Sequence, residues 1–460
     1  MSSILDDATG LATPDRRTRV RHDGKPRRLH SWIVFAAVLL ATVLQPTGRF
    51  LFDAVGYWNA AGSLIGSPVA PPEGFWDLRG VVSAVVYLLA QVITGILGPD
   101  VAGFAVLVQN SLVIAALAAF VAPALLRPWA EPGVVARWVM AAAVAFVARG
   151  FAPYPLVDLY AAAAVLVAAH LLTQRSWPAL AGAGLLLGCA FNIRPAYLVP
   201  LVLAAVVVMI HHRVRAMVVA GGALAALVPQ MVYLAATHHT FGLTPVASSG
   251  LVGIQTSFAS YTVRYDTAIT SATPQQFFCS PDMASRIGEP PLTIGSLAET
   301  LLTNLPHSGV FALEKLGAAL HWPLSIPYLV PDPGVNALVA VLVTGLTVIG
   351  CTRLLSLPVR AGSPRVARPL LTVLVLGTAA TLVSAATEAR FALFLVLVGA
   401  VGLGALVERP PTPRARRADL WLIVAALVIT VTLLAMGWIG LSRPAAPGGV
   451  TVQTCAELAQ

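Results

Sequence analysis

Eight ionisable residues stand where this chain passes between apolar and polar stretches: Asp53, Arg149, Asp158, Arg194, Arg264, Asp266, Glu388 and Arg390. An ionised group at the centre of a bilayer costs about 2.5–3.5 kcal/mol on insertion scales, so such charges face a cavity or a partner. The set carries both signs. Its carboxylates can take a proton from a hydroxyl, and its guanidiniums offer the planar fork that suits a phosphate. Asp53 follows the first apolar run in Asp53-Ala54-Val55-Gly56-Tyr57-Trp58. It reads either as a general base or as an interfacial cap on a short helix over 54–63. Asp158, in Tyr154-Pro155-Leu156-Val157-Asp158, opens a later apolar helix. It is the second candidate catalytic acid, or else a cap or a partner of Arg149.

Three arginines are candidate phosphate ligands. Arg390 lies in Thr387-Glu388-Ala389-Arg390-Phe391, Arg194 in Asn192-Ile193-Arg194-Pro195, and Arg264 in Tyr261-Thr262-Val263-Arg264-Tyr265-Asp266. The plainer alternatives are a Glu388–Arg390 rim pair, interfacial anchoring, and a loop salt bridge between Arg264 and Asp266. Tyr57, Trp58, Tyr261 and Tyr265 are aromatic surfaces of the kind on which sugars stack, and with Glu388 they are the candidates for contacting substrate. His238-His239 lacks a third ligand at diagnostic spacing, so no metal site is expected. His307 and His321 lie in the large polar segment, where either could assist at a phosphate. There is no phosphate-binding glycine loop, dinucleotide fingerprint or nucleophile elbow, which argues against a soluble nucleotide as donor.

These residues must be positioned by helices in a membrane. The 460-residue chain is 57% hydrophobic and 11% charged, with a mean hydropathy of +0.81; a soluble domain carries about a quarter charged residues. Apolar stretches near the ~20 residues needed to cross a bilayer recur from end to end. They cover 32–52, 101–125, 134–151, 156–174, 177–193, 196–211, 216–236, 335–352, 369–386, 391–407 and 419–440, with 80–98 as a further candidate. The expected fold is an all-α polytopic bundle of about 11–12 spans. The net charge of +9 collects in short links between apolar runs, at Arg175, Arg213, Arg215, Arg353, Arg360, Arg365, Arg368, Arg409, Arg414, Arg416 and Arg417. Such links mark the cytoplasmic side, so the basic balance reads as topology and no nucleic-acid partner is expected.

The same rule makes residues 1–31 a basic cytoplasmic tail, 32–440 the membrane domain and 441–460 an extracytoplasmic tail. Segments 53–79 and 237–334 then lie outside as loops with interfacial helices, and 295–320 has the apolar periodicity of one such helix. The first apolar run is too long for a signal-peptide core and reads as an uncleaved helix. Counting crossings between basic links makes 80–98 the run that lies at or dips into the outer face. Cys189 and Cys351 sit in apolar runs as packing residues; Cys279 and Cys455 both fall outside, where a disulfide can form. Heavy use of Ala, Val, Leu, Gly, Pro and Arg fits a GC-rich bacterial genome, and so a bacterial cytoplasmic membrane.

With these features in place, the chain resembles the GT-C superfamily of membrane glycosyltransferases, which use polyprenyl-phosphate sugars. The likeness rests on the acid opening the first outer loop (Asp53, with Tyr57), the acid opening a later helix (Asp158), Leu185-Gly188-Ala190-Phe191-Asn192-Arg194-Pro195, and Glu388-Ala389-Arg390-Phe391. It spans most of 32–407 as architecture, carried by short motifs. Two features depart from it: Pro71-Pro72 precedes the position where many relatives carry a Pro-Pro pair, and Asp53 has no acidic neighbour. The resemblance implies a GT-C-like fold and sugar transfer from a polyprenyl-phosphate donor, mannose or arabinose, to a hydroxyl of a glycan, glycolipid or small-molecule acceptor. Asp53 would deprotonate that hydroxyl, Arg390 with Arg194 or Arg264 would neutralise the departing phosphate, and the anomeric centre would invert without metal or other cofactor. The rival readings are a lipid-linked glycan ligase and a transporter or flippase.

Overall fold

The computed structural model describes residues 24–265, 276–287, 293–320, 333–385, 387–408, 416–447 and 452–457. The readings on Asp266, His321, Arg409 and Arg414 lie outside the described residues, as does the side chain of Tyr265. The chain is an all-α polytopic bundle. Among the described residues, six helices are long and apolar enough to cross a membrane: Pro99–Leu126, Val134–Phe151, Pro195–His238, Gly334–Ser356, Ala389–Glu408 and Leu420–Leu441. Shorter apolar helices lie between them at Arg28–Val43, Val81–Leu97, Asp158–Leu172, Trp177–Ile193 and Ala367–Val383.

The stretch Pro195–His238 turns sharply at Arg213, where φ is 48°. Its first half, Leu198–His212, packs on Ala367–Val383, and its second half, Ala216–His238, packs on Trp177–Ile193. Gly184 and Gly188 face Val219 and Ala223 across that second contact, and a Cβ on either would collide with backbone carbonyl oxygens. Small residues at this spacing let two apolar helices approach closely, which dispersion then rewards.

One element differs from the sequence expectation, and the run expected not to cross is broken. The first span, expected over 32–52, ends its helix at Val43. Pro46 lacks the amide that would continue the ladder, and the chain runs on without helix to Phe52, whose φ of 46° turns it into the helix Asp53–Ser63. The run 80–98 is broken into Val81–Val85 and Leu88–Leu97, and neither arm approaches the ~30 Å of a hydrocarbon core. Tyr87 lies at the break, buried, with its hydroxyl donating to the Leu156 carbonyl at 2.7 Å.

The large polar segment is not wholly helical. Strands β1 (Thr262–Tyr265), β2 (Gln276–Cys279) and β3 (Ala445–Pro447) form a small antiparallel sheet in the order β1-β2-β3. The amphipathic stretch 295–320 is two helices, Ile294–Thr303 and Leu305–Ala319, meeting at Asn304. Thr293 caps the first through reciprocal bonds with Ser296, and Pro306 starts the second at a position where a missing amide costs nothing. Cys279 and Cys455 are joined in a disulfide that ties the end of the chain to β2. Cys279→Ser is expected to cost about 2–5 kcal/mol. Thermal unfolding with and without reductant checks this, because the variant loses both the stability and the sensitivity to reductant.

Candidate active site

Every member of the central charge cluster sits at the end of a helix. Asp53 is the first residue of Asp53–Ser63, and Arg79 directly follows the short helix Phe75–Leu78. Asp158 begins Asp158–Leu172, and Arg194 follows Trp177–Ile193. Glu388 and Arg390 lie in the turn at Ala389–Ala392 that leads into Leu393–Glu408. Helix ends bring polar groups together without interrupting the apolar ladders that carry them.

Arg390 is the hub. Its Nη2 donates to Asp53 Oδ2 at 2.9 Å and its Nε to Glu388 Oε2 at 2.5 Å. Its Nη1 lies 3.9 Å from Asp158 Oδ2. Arg79 Nη2 donates to the other Asp53 oxygen at 3.3 Å. Arg194 Nε donates to Asp158 Oδ1 at 2.6 Å, its Nη2 pairs with the same oxygen, and its guanidinium lies 4.4 Å from the centre of the Phe391 ring. Neither acid makes a capping bond to its own helix; both are held in ion pairs instead. Asp158 pairs with Arg194 and Arg390; the expected alternative, Arg149, is not its partner.

Three carboxylates and three guanidiniums thus compensate one another, but not every buried polar atom finds a hydrogen bond. Asp158 Oδ2 and the Tyr57 hydroxyl are buried without a hydrogen-bond partner, on residues 3% and 1% exposed. Buried polar atoms are nearly always satisfied, so orphans of this kind need a reason, and substrate is one. Beside them a narrow cleft runs between the charges of Asp158, Arg194 and Arg390 and the apolar wall of Tyr197, Leu382 and Phe391. It holds about 20 Å³, space for a water and not for a phosphate. A phosphate entering here must displace Arg390 from part of its carboxylate set.

Burial pushes the Asp53 carboxyl up, but the charges of Arg390, Arg79 and Arg194 outweigh it and hold the group far below the usual carboxylate range. Asp53 is therefore ionised at neutral pH and, while so paired, a weak base. Burial raises the Tyr57 hydroxyl, which stays protonated and able to donate.

Six of the residues singled out from sequence meet here: Asp53, Tyr57, Asp158, Arg194, Glu388 and Arg390. Arg264, Tyr261 and Trp58 stand elsewhere. Arg264 belongs to β1 and donates to the Ala318 carbonyl at 3.1 Å. Tyr261 packs with Phe277 around the disulfide. Trp58 faces Phe50 and gives its carbonyl to Gln91. Arg79 was missed as a site residue, although its place just before an apolar run and in the same loop as Asp53 was a usable signal.

Lys315 was also missed. It is fully buried, and its Nζ donates to the Ala259 carbonyl at 3.0 Å and the Ala385 carbonyl at 2.8 Å, close to Glu388 in the chain. Burial lowers its ammonium to about 7 from the ordinary 10.5. Between those two values the unfolded chain binds more protons than the folded one, so this lysine adds stability as pH rises and withdraws it below the lower value. Thermal unfolding at about pH 6.5 and 9 is expected to favour wild type over Lys315→Met more at the higher pH. An equal difference at both would refute the assignment.

No family model matches the chain, and no curated protein and no solved structure matches it. The cluster's chemistry is therefore read from its geometry: carboxylates sharing one arginine, beside a cleft with an apolar wall, at the ends of helices.

Proposed function

We propose that this chain is an integral membrane glycosyltransferase of GT-C type. It would transfer a sugar from a polyprenyl phosphate to a hydroxyl of a glycan, glycolipid or small-molecule acceptor, on the outer face of a bacterial cytoplasmic membrane, with its N-terminus inside. The observation that carries this reading is Arg390, shared between Asp53 and Glu388, facing the unsatisfied oxygen of Asp158, at the edge of a cleft with an apolar wall. A guanidinium so placed suits the phosphate of a lipid whose chain lies against that wall.

The steps follow from charge. Donor phosphate draws Arg390 away from Asp53, with Arg194 assisting from the other side of the cleft. Asp53 then loses its strongest counter-charge and its basicity rises toward the useful range. It takes the proton of the acceptor hydroxyl, whose oxygen attacks the anomeric carbon from the face opposite the phosphate. The bond from that carbon to the phosphate oxygen breaks, the electron pair leaves with the phosphate, and the configuration inverts. The arginines neutralise the charge that develops on the departing oxygen. Substrate binding and base activation are thus one event. A transporter is the weaker reading, since carrier sites gather near the midplane and these charges sit at helix ends.

A test independent of the acceptor is protection by the leaving group. Polyprenyl monophosphate is expected to raise the melting temperature of the purified protein, and the uncharged polyprenol of equal length is not. Equal effects of the two would remove the phosphate from the proposal.

A further inference from the structure

A second, wider cavity lies at the opposite ends of the helices that build the cluster. Asp158–Leu172 and Trp177–Ile193 carry cluster residues at one end and meet at Thr173–Ser176 at the other, roughly 20–25 Å away. The cavity there holds about 670 Å³. Its walls include Arg175, Arg215 and Arg365 together with His211, His212 and Ser363, and no carboxylate is among its lining residues. This cavity takes no part in the chemistry proposed above.

Arg215 and the two histidines are held by backbone carbonyls and not by acids. Arg215 Nη1 donates to the Arg175 carbonyl at 3.0 Å, and its guanidinium lies 5.7 Å from the Trp177 ring centre. His212 Nε2 is 3.0 Å from the Leu172 carbonyl, and His211 Nδ1 is 2.9 Å from the Val207 carbonyl. Arg175 and Arg365 are exposed, and their guanidiniums have no partner among the described residues. Uncompensated arginines converging from three separate links leave a positive potential that an anion would relieve. Exposed apolar side chains close in sequence to these residues are the second observation. Ile210, Val214 and Met217, beside the lining residues in sequence, are 66%, 78% and 72% exposed. A soluble anion has no use for exposed apolar side chains nearby; a lipid has.

We infer that this cavity binds the headgroup of an anionic phospholipid, its phosphate against Arg175, Arg215 and Arg365 and its acyl chains along Ile210, Val214 and Met217. Arginine forks match phosphate oxygens in pairs, and basic pockets between helices on the inner side of a membrane take anionic headgroups in this way.

The test is lipid retention by native mass spectrometry, after the purified full chain is mixed with phosphatidylglycerol or phosphatidylcholine. Wild type is expected to keep phosphatidylglycerol selectively. Arg175→Glu/Arg365→Glu is expected to lower that retention about tenfold or more, and Arg175→Lys/Arg365→Lys to keep most of it. Should the charge reversal not fold, Arg175→Gln/Arg365→Gln carries the same prediction with a smaller loss. Retention that ignores these charges overturns the inference, as does equal retention of phosphatidylcholine. Inorganic phosphate that binds with the same arginine dependence, while phosphatidylglycerol does not, would make this a soluble-anion site and overturn the lipid assignment.

Discussion

Asp53→Asn is expected to lower sugar transfer by about 10²–10⁴-fold, the usual contribution of a positioned general base. The amide keeps the size of the side chain, and its single oxygen can still accept from Arg79 or from Arg390, though its NH2 cannot take the place of the second carboxylate oxygen. What it loses is the ability to take a proton. Donor binding should survive or tighten, because Arg390 no longer has to be drawn from a carboxylate before it meets the phosphate. The loss should therefore fall on kcat, with KM for the donor unchanged or lower. Transfer that persists in a well-expressed Asp53→Asn protein would move the base to Asp158, whose Oδ2 is buried without a hydrogen-bond partner.

The second large effect is expected at Arg390. Replacement by Lys keeps one charge but cannot reach Asp53, Glu388 and a phosphate from separate nitrogens of one plane. Removing one donor to a developing oxyanion costs about 10²–10³ in rate, and Arg390→Lys should lose about that much, with a higher KM for the donor. Arg390→Ala goes further. It leaves Asp53 and Glu388, both bonded to the guanidinium at 2.9 and 2.5 Å, without their shared cation. Breaking a buried pair from one side costs about 3–5 kcal/mol, so this variant should melt lower as well as fail to transfer. The two variants separate the roles: if Arg390 only holds the cluster together, the Lys form, still charged, stays close to wild type in rate.

Much of this site was legible in the sequence because charges at the ends of apolar runs are conspicuous. Asp53, Asp158, Arg194, Glu388 and Arg390 could each be picked out alone. Their partners could not. Asp53 and Arg390 are 337 residues apart, and no local rule pairs them. Asp158 was weighed against Arg149, its near neighbour in sequence, yet it meets Arg194, brought back beside it when Trp177–Ile193 packs on Asp158–Leu172. Arg264 looked as favourable as Arg194 from its aromatic flanks, but strand pairing fixes it in the sheet. The long apolar helices were readable from hydropathy. Their breaks were set by single residues, Pro46 ending the first helix early and Asn304 dividing the amphipathic stretch in two. The Cys279–Cys455 disulfide was foreseeable as an option, since these cysteines alone fall outside apolar runs, but only the fold brings their Cα atoms to 5.7 Å.

The donor is the deciding reagent. Membranes from a deletion host re-expressing the wild-type chain should be supplied separately with radiolabelled polyprenyl-phosphate mannose and polyprenyl-phosphate arabinose. Label is expected to pass from one of them to an acceptor, with release of polyprenyl phosphate in equal amount, and neither should occur in membranes lacking the chain. Well-expressed wild type that moves no sugar from either donor would contradict the assignment.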